Sequence, residues 1–103
     1  MNRILLIIAT ETERKNAEKI SKLLLEKRVA ACISLKDISS TFFWGGNIET
    51  CKEIEITIKS TIENREQIIN ILKSKLSNEL PQIIFKEFDS ELAYFNWVKK
   101  SVI

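Results

Sequence analysis

The sequence predicts an α+β domain on the ferredoxin-like split β-α-β plan: element order β-α-β-β-α-β plus a C-terminal helix, with an antiparallel sheet and helices on one face. Three observations carry that expectation. An unbroken apolar run spans Ile4 to Ala9, two stretches repeat apolar residues at helical spacing, and between them a strand pattern folds back at Gly45-Gly46-Asn47.

The elements follow in order. Ile4-Leu5-Leu6-Ile7-Ile8-Ala9 is branched and continuous, as a central strand covered on both faces would be. Thr10 and Glu13 have capping-box spacing, and Glu11 lies where a helix dipole favours negative charge, so a helix is expected from Glu13 to Arg28 on Ala17, Ile20, Leu23 and Leu24. Val29 to Leu35 reads as a strand interrupted by Lys36-Asp37, and extended chain resumes at Ser40 to Trp44. From Ile48 to Ser60 the alternation is cleanest: Ile54, Ile56 and Ile58 share one face, while Glu53, Glu55, Thr57 and Lys59 share the other. Ser60 and Glu63 repeat the capping spacing ahead of a helix over Ile62 to Leu76, which Pro81 prevents from continuing. Ile83 to Phe88 is the last strand, and Asp89 or Ser90 is the expected cap of a final helix ending at Lys99-Lys100.

Composition bounds function. The 103 residues, 45% apolar and 29% charged, fit one domain over 1–103. Sixteen basic and fourteen acidic residues are interleaved, leaving a net charge of +2 with no basic block for nucleic acid. The chain has no histidine, which removes the Ser-His-Asp and Cys-His nucleophile systems and every imidazole metal ligand. The run Ile4 to Ala9 is too short to cross a bilayer, no export signal is evident, and Cys32 and Cys51 form no C-x-x-C, so a cytoplasmic protein is expected. After the first strand, Thr10-Glu11-Thr12-Glu13 is acidic and free of glycine, unsuited to holding phosphate. No catalytic residue is expected.

Four segments resemble the CutA family of divalent-cation tolerance proteins. Lys27-Arg28-Val29-Ala30-Ala31-Cys32 is similar to its (K/R)-L-A-A-C, Phe43-Trp44-Gly45-Gly46-Asn47-Ile48-Glu49 to its Y-W-x-G-x-(I/L)-E, Lys59-Ser60-Thr61 to its K-T-T, and Tyr94-Phe95-Asn96-Trp97 to its Y-x-x-W. The resemblance implies a non-enzymatic homotrimer joined by strand pairing between subunits, a role in divalent metal tolerance, and an inter-subunit cleft for a small ligand or ion. One departure is large. Where the family has H-P-Y-x-x-P-E, this chain has Leu76-Ser77-Asn78-Glu79-Leu80-Pro81-Gln82, and Ala9 stands where some members carry a cysteine. A copper site resembling one built from that cysteine and the family's histidines is therefore lost.

Phe42, Phe43 and Trp44 put aromatic rings on both faces of one strand, more than a single copy covers, which points to a subunit interface. The ligand cleft is expected around Trp44, Glu49, Lys59 and Trp97, with Trp44 as wall, Glu49 as acceptor and Lys59, just before a helix start, as partner of a small anion. No cofactor is required. A divalent cation has only weak candidates in Cys32, Cys51, Glu49 and Glu53, the acidic run more simply reading as a wet strand face. Two alternatives remain open: a small-molecule sensor resembling the PII trimers, which would want a long mobile loop in place of the hairpin, and a scaffold for partner proteins.

Overall fold

The structure is a computed structural model and describes residues 2–103; the domain expected over 1–103 includes Met1, which lies outside the described residues. In chain order come β1 (Arg3–Glu11), α1 (Arg14–Glu26), β2 (Cys32–Trp44), β3 (Asn47–Ser60), α2 (Arg65–Lys75), β4 (Ile83–Asp89) and α3 (Leu92–Ser101), with a 3-10 turn at Ile62–Asn64 leading into α2. The strands lie in the order β2-β3-β1-β4, every neighbouring pair antiparallel, which is the split plan read from the sequence.

Strand parity decides what each face meets. Leu5, Ile7 and Ala9 of β1 stand beside Ile58 and Ile56 of β3, and with Ile54 they form the inner face. That face packs on Ala17, Ile20 and Leu24 of α1 and on Ile68 and Leu72 of α2, so the two crossover helices share one side of the sheet. Each fully buried Ile or Leu there contributes about 1.5–3 kcal/mol by leaving water. The added helix α3 takes the opposite face. There the Lys59 ammonium lies 5.9 Å from the Tyr94 ring centroid, and Val98 is fully buried outside the main core cluster.

Several local expectations are corrected. The helix expected to Arg28 stops at Glu26, and Arg28 turns left-handed (φ 59°). That turn is tied to the C-terminal end: the Arg28 Nε donates to the Ser101 carbonyl at 2.8 Å, and its own carbonyl accepts the Ile103 N–H at 3.0 Å. β2 runs unbroken through Lys36 and Asp37 because Lys36 faces Glu55 across the ladder and Asp37 accepts a 2.7 Å hydrogen bond from Arg14. Neither capping box forms, since Thr10 and Ser60 are still within strands, where the Ser60 hydroxyl donates to the Val29 carbonyl. Helix α2 begins only at Arg65, after the 3-10 turn. Glu91, rather than Asp89 or Ser90, occupies the N-cap position of α3, with no side-chain cap.

The work expected of Thr10 is done by Glu11. Its carboxylate, buried under the start of α1, accepts the Glu13 N–H at 2.9 Å, the Asn16 side-chain amide at 2.8 Å and the Ser77 N–H at 2.9 Å. One side chain therefore joins the end of β1, the first turn of α1 and the connection after α2. Ser77 stands where the family motif has proline, and proline has no N–H to give.

The β2–β3 hairpin outruns the rest of the sheet. The β1–β3 ladder ends at Glu11 opposite Ile54, whereas β2 and β3 stay paired to Trp44 opposite Asn47. Residues 38–53 thus form a two-stranded arm, and the molecule measures 45 × 25 × 22 Å. Gly45 (φ 59°) and Gly46 (φ 82°) close the arm as a two-residue turn that needs positive φ at both positions.

Burial by itself raises the Glu11 pKa, but the N–H groups of Glu13 and Ser77 and the side chains of Ser77 and Asn16 outweigh it and hold the group below its ordinary value. Glu11 therefore stabilises the fold fully above its unfolded pKa of about 4.3, and this contribution disappears as pH falls through the lower folded pKa. Urea unfolding at fixed protein concentration is expected to show Glu11→Ala losing about 2–3 kcal/mol at pH 7, and a smaller difference from the parent at pH 3. An equal difference at both pH values would contradict the charged clamp.

Candidate functional site

The arm, the end of β1 and the connection between α2 and β4 enclose a groove of about 670 Å³. From the arm come Phe42, Phe43 and Trp44 on β2 and Glu49, Cys51 and Glu53 on β3. Register explains the grouping. Phe42 faces Glu49, Ser40 faces Cys51 and Ile38 faces Glu53, so the two acids and the thiol alternate along the outer side of β3. Thr10 and Thr12 form the floor, and Asn78, Leu80 and Gln82 the far wall, held in place through the Glu11 bond to Ser77.

Exposure differs along this acidic run. Glu49 is exposed and Glu55 half-buried, but Glu53 is only 9% exposed, so the wet-face reading fails at Glu53. The reason is tertiary, because Glu53 sits just past the last β1–β3 pair, where the arm leaves the sheet. The half-buried Cys51 thiol is pushed above its ordinary pKa, first by burial and then by the negative charge of Glu53. That makes it a poor nucleophile near neutral pH.

The other expected site residues lie elsewhere in the chain. Lys59 is on the outer face beside Leu6 and opposite Cys32, under the Tyr94 ring, and Tyr94 stacks on Trp97 with centroids 5.6 Å apart. Lys59 and Glu49 are ten residues apart on β3, roughly 33 Å along the strand. One chain thus brings Trp44 and Glu49 together, and Lys59 and Trp97 together, as two separate clusters. Lys59 is also not at a helix N-terminus. Helix α2 begins six positions later and lies across the sheet on the inner face, so helix and lysine do not converge on one anion.

The weak metal candidates do not converge on an ion either. Cys51 faces Ser40, eight positions along β2 from Cys32, which separates the thiols by roughly 26 Å within a chain. Among the described residues no group of three or more cysteine, aspartate or glutamate side chains is arranged to hold a metal ion. A copper or zinc centre does not fit these residues. Sequence reasoning missed the wall at Asn78, Leu80 and Gln82 and the role of Tyr94, since only the fold brings those positions to their partners. Among the described residues, no helix is long and apolar enough to cross a membrane.

Comparison with known proteins bears on the family and the fold. The family model of CutA1 divalent ion tolerance protein matches residues 5–101. The divalent-cation tolerance protein CutA of Thermotoga maritima is 31% identical over 101 residues, covering 97% of this chain and all of that protein. That of Archaeoglobus fulgidus is 32% identical over 97 residues, covering 93% of this chain and 95% of the relative. A solved structure described as the periplasmic divalent cation tolerance protein CutA from Archaeoglobus fulgidus superposes with a TM-score of 0.92 at 30% identity, covering 97% of this chain and 99% of the other.

Proposed function

The chain belongs to the CutA1 divalent ion tolerance protein family, and on that footing we propose that it serves divalent cation tolerance as a non-enzymatic homotrimer of the cytoplasm. The arm is the observation that supports assembly. A lone two-stranded ribbon is marginal in water, and this one holds Phe43 74%, Ile48 69% and Trp44 48% exposed at its tip. Burying such a surface against other copies both covers the rings and pairs the long edge of β2, which carries no proline to block it. Strand pairing between subunits also gives the separated clusters a way to meet: the Trp44 and Glu49 end of one copy against the Lys59 and Trp97 end of the next, as an inter-subunit cleft. The two-residue turn at Gly45-Gly46 leaves no long loop of the sort a PII-like sensor uses.

In this reading tolerance does not depend on a resident copper site. Imidazole and paired thiolates are what hold copper and zinc against water; this chain has no histidine, and its two thiols are far apart within one copy. The free thiols suit a reducing compartment.

Light scattering at micromolar concentration is expected to return three times the 11.9 kDa chain mass. The double variant Phe43→Asp, Ile48→Asp is expected to return a single-chain mass with its far-UV circular dichroism retained, because both side chains are already exposed in one copy. A single-chain mass for the parent protein would sink the trimer. Calorimetric titration with Cu²⁺ is expected to give no saturable binding below micromolar concentration, and tight 1:1 uptake would overturn the metal clause.

A further inference from the structure

Glu53 is nine-tenths buried, yet among the described residues its carboxylate accepts no hydrogen bond and meets no cation within ion-pair distance. A carboxylate held this way has lost hydration without recovering it from its own chain. Lys59 is in the complementary condition. It is half-buried, its ammonium lies 5.9 Å from the Tyr94 ring centroid, near the outer limit of such a contact, and among the described residues no carboxylate is within ion-pair distance of it. The two cannot answer each other within one copy. They share the outer face of β3 but stand six residues apart, roughly 20 Å along the strand.

Charge is sorted along that face. Glu49 and Glu53 lie on the arm and Lys59 at the sheet end, while Glu55, between them, faces Lys36 across the β2–β3 ladder. Leu6 of β1 has Lys59 on one side and Lys86 of β4 on the other, so two lysines mark the sheet end. Lys86 is exposed over the Phe88 ring, whereas Lys59 is half-buried, so bringing a carboxylate to Lys59 strips away less water. One end of the face therefore offers a dry acid and the other a partly dry base. Copies packed arm against sheet end join unlike charges at every contact, and a closed ring leaves neither group over. The same approach covers the exposed rings at the arm tip, so the charges meet where water is being excluded.

We propose that the counter-ion of Glu53 is Lys59 of the neighbouring copy, an ion pair that completes the groove under the arm only in the assembly. This rests on the trimer proposed above and adds the pair that holds the arm to the next sheet. It also bears on metal: the most buried acid of the groove is neutralised by an ammonium group, so no divalent cation is needed there to hold the copies together.

The test is a double-mutant cycle on assembly. The dissociation midpoint is read by light scattering over a dilution series in a fixed, sub-denaturing urea concentration, with far-UV circular dichroism on every variant. Glu53→Gln and Lys59→Gln are each expected to raise the midpoint about tenfold or more, and the double variant to raise it no further than the worse single, because the second change removes a group already left unpaired. Exchanging the charges, Glu53→Lys with Lys59→Glu, should recover assembly that either exchange alone abolishes. Glu53→Asp, which keeps the charge one methylene short, serves the same cycle if the glutamine variant loses its dichroism. Lys86→Gln should act independently of Glu53→Gln, and EDTA should leave the parent's mass unchanged. Coupling between side chains so far apart within a chain reports a contact between chains, which a local role for either residue does not produce. Three results would overturn the pair while leaving the trimer standing: independent, multiplying effects of Glu53→Gln and Lys59→Gln, coupling to Lys86→Gln instead, or dissociation of the parent by EDTA, which gives Glu53 to a metal. A single-chain mass for the parent overturns both the pair and the trimer beneath it.

Discussion

The structure depends on a mismatch of strand lengths. β3 has fourteen residues and β2 thirteen, but β1 has only nine, so the hairpin must leave the sheet partway along. At the sheet end, three strands and two helices close over Ile54, Ile56 and Ile58, and the core is complete. Past Ile54, among the described residues, β3 keeps β2 on one side and has no strand on the other. The exposed rings and the groove under the arm both follow from that departure. A shorter hairpin would keep the core and lose both.

Glu11 governs the other side of the groove. A buried carboxylate is costly unless several donors meet it, and here the donors come from the start of α1 and from the connection after α2, so the charge on the end of β1 is satisfied only when all three segments are in place. The connection at 77–82 has few other restraints on its backbone, and it carries Asn78, Leu80 and Gln82 to the groove. One departure from the family motif makes sense in this light. Without the proline at position 77 the chain gains a free N–H, and Glu11 is positioned to take it.

Local periodicity made the architecture readable. The six-residue apolar run and the alternation through Ile54, Ile56 and Ile58 are properties of neighbouring residues, and they named the faces correctly. Boundaries were misread wherever a distant partner decides them. Lys36 and Asp37 look like a break until Glu55 and Arg14 are seen to answer them, and Thr10 and Ser60 look like caps although their backbones are still extended. The site was half legible. Within one chain Trp44 and Glu49 line one groove, while Lys59 and Trp97 form a second cluster at the other end of β3, a separation that sequence order does not carry. Glu53 looked like one of several solvated acids, since its burial comes from where β1 ends and not from anything beside it in the chain.

Charge distribution links the two levels. With a net charge of +2, an average groove on this protein would contain some positive charge, and this one contains none among its lining residues. The basic side chains sit elsewhere: Lys59 beneath Tyr94, Lys86 over Phe88, Lys99 over Phe95, and Arg14 against Asp37. Several rest on aromatic rings or carboxylates of their own, which leaves them no reason to fold back toward Glu53. A family name that speaks of divalent cations invites a search for ligands around an ion, but Glu49 and Glu53 stand roughly 13 Å apart along β3, and among the described residues no three acidic or thiol side chains converge on one point.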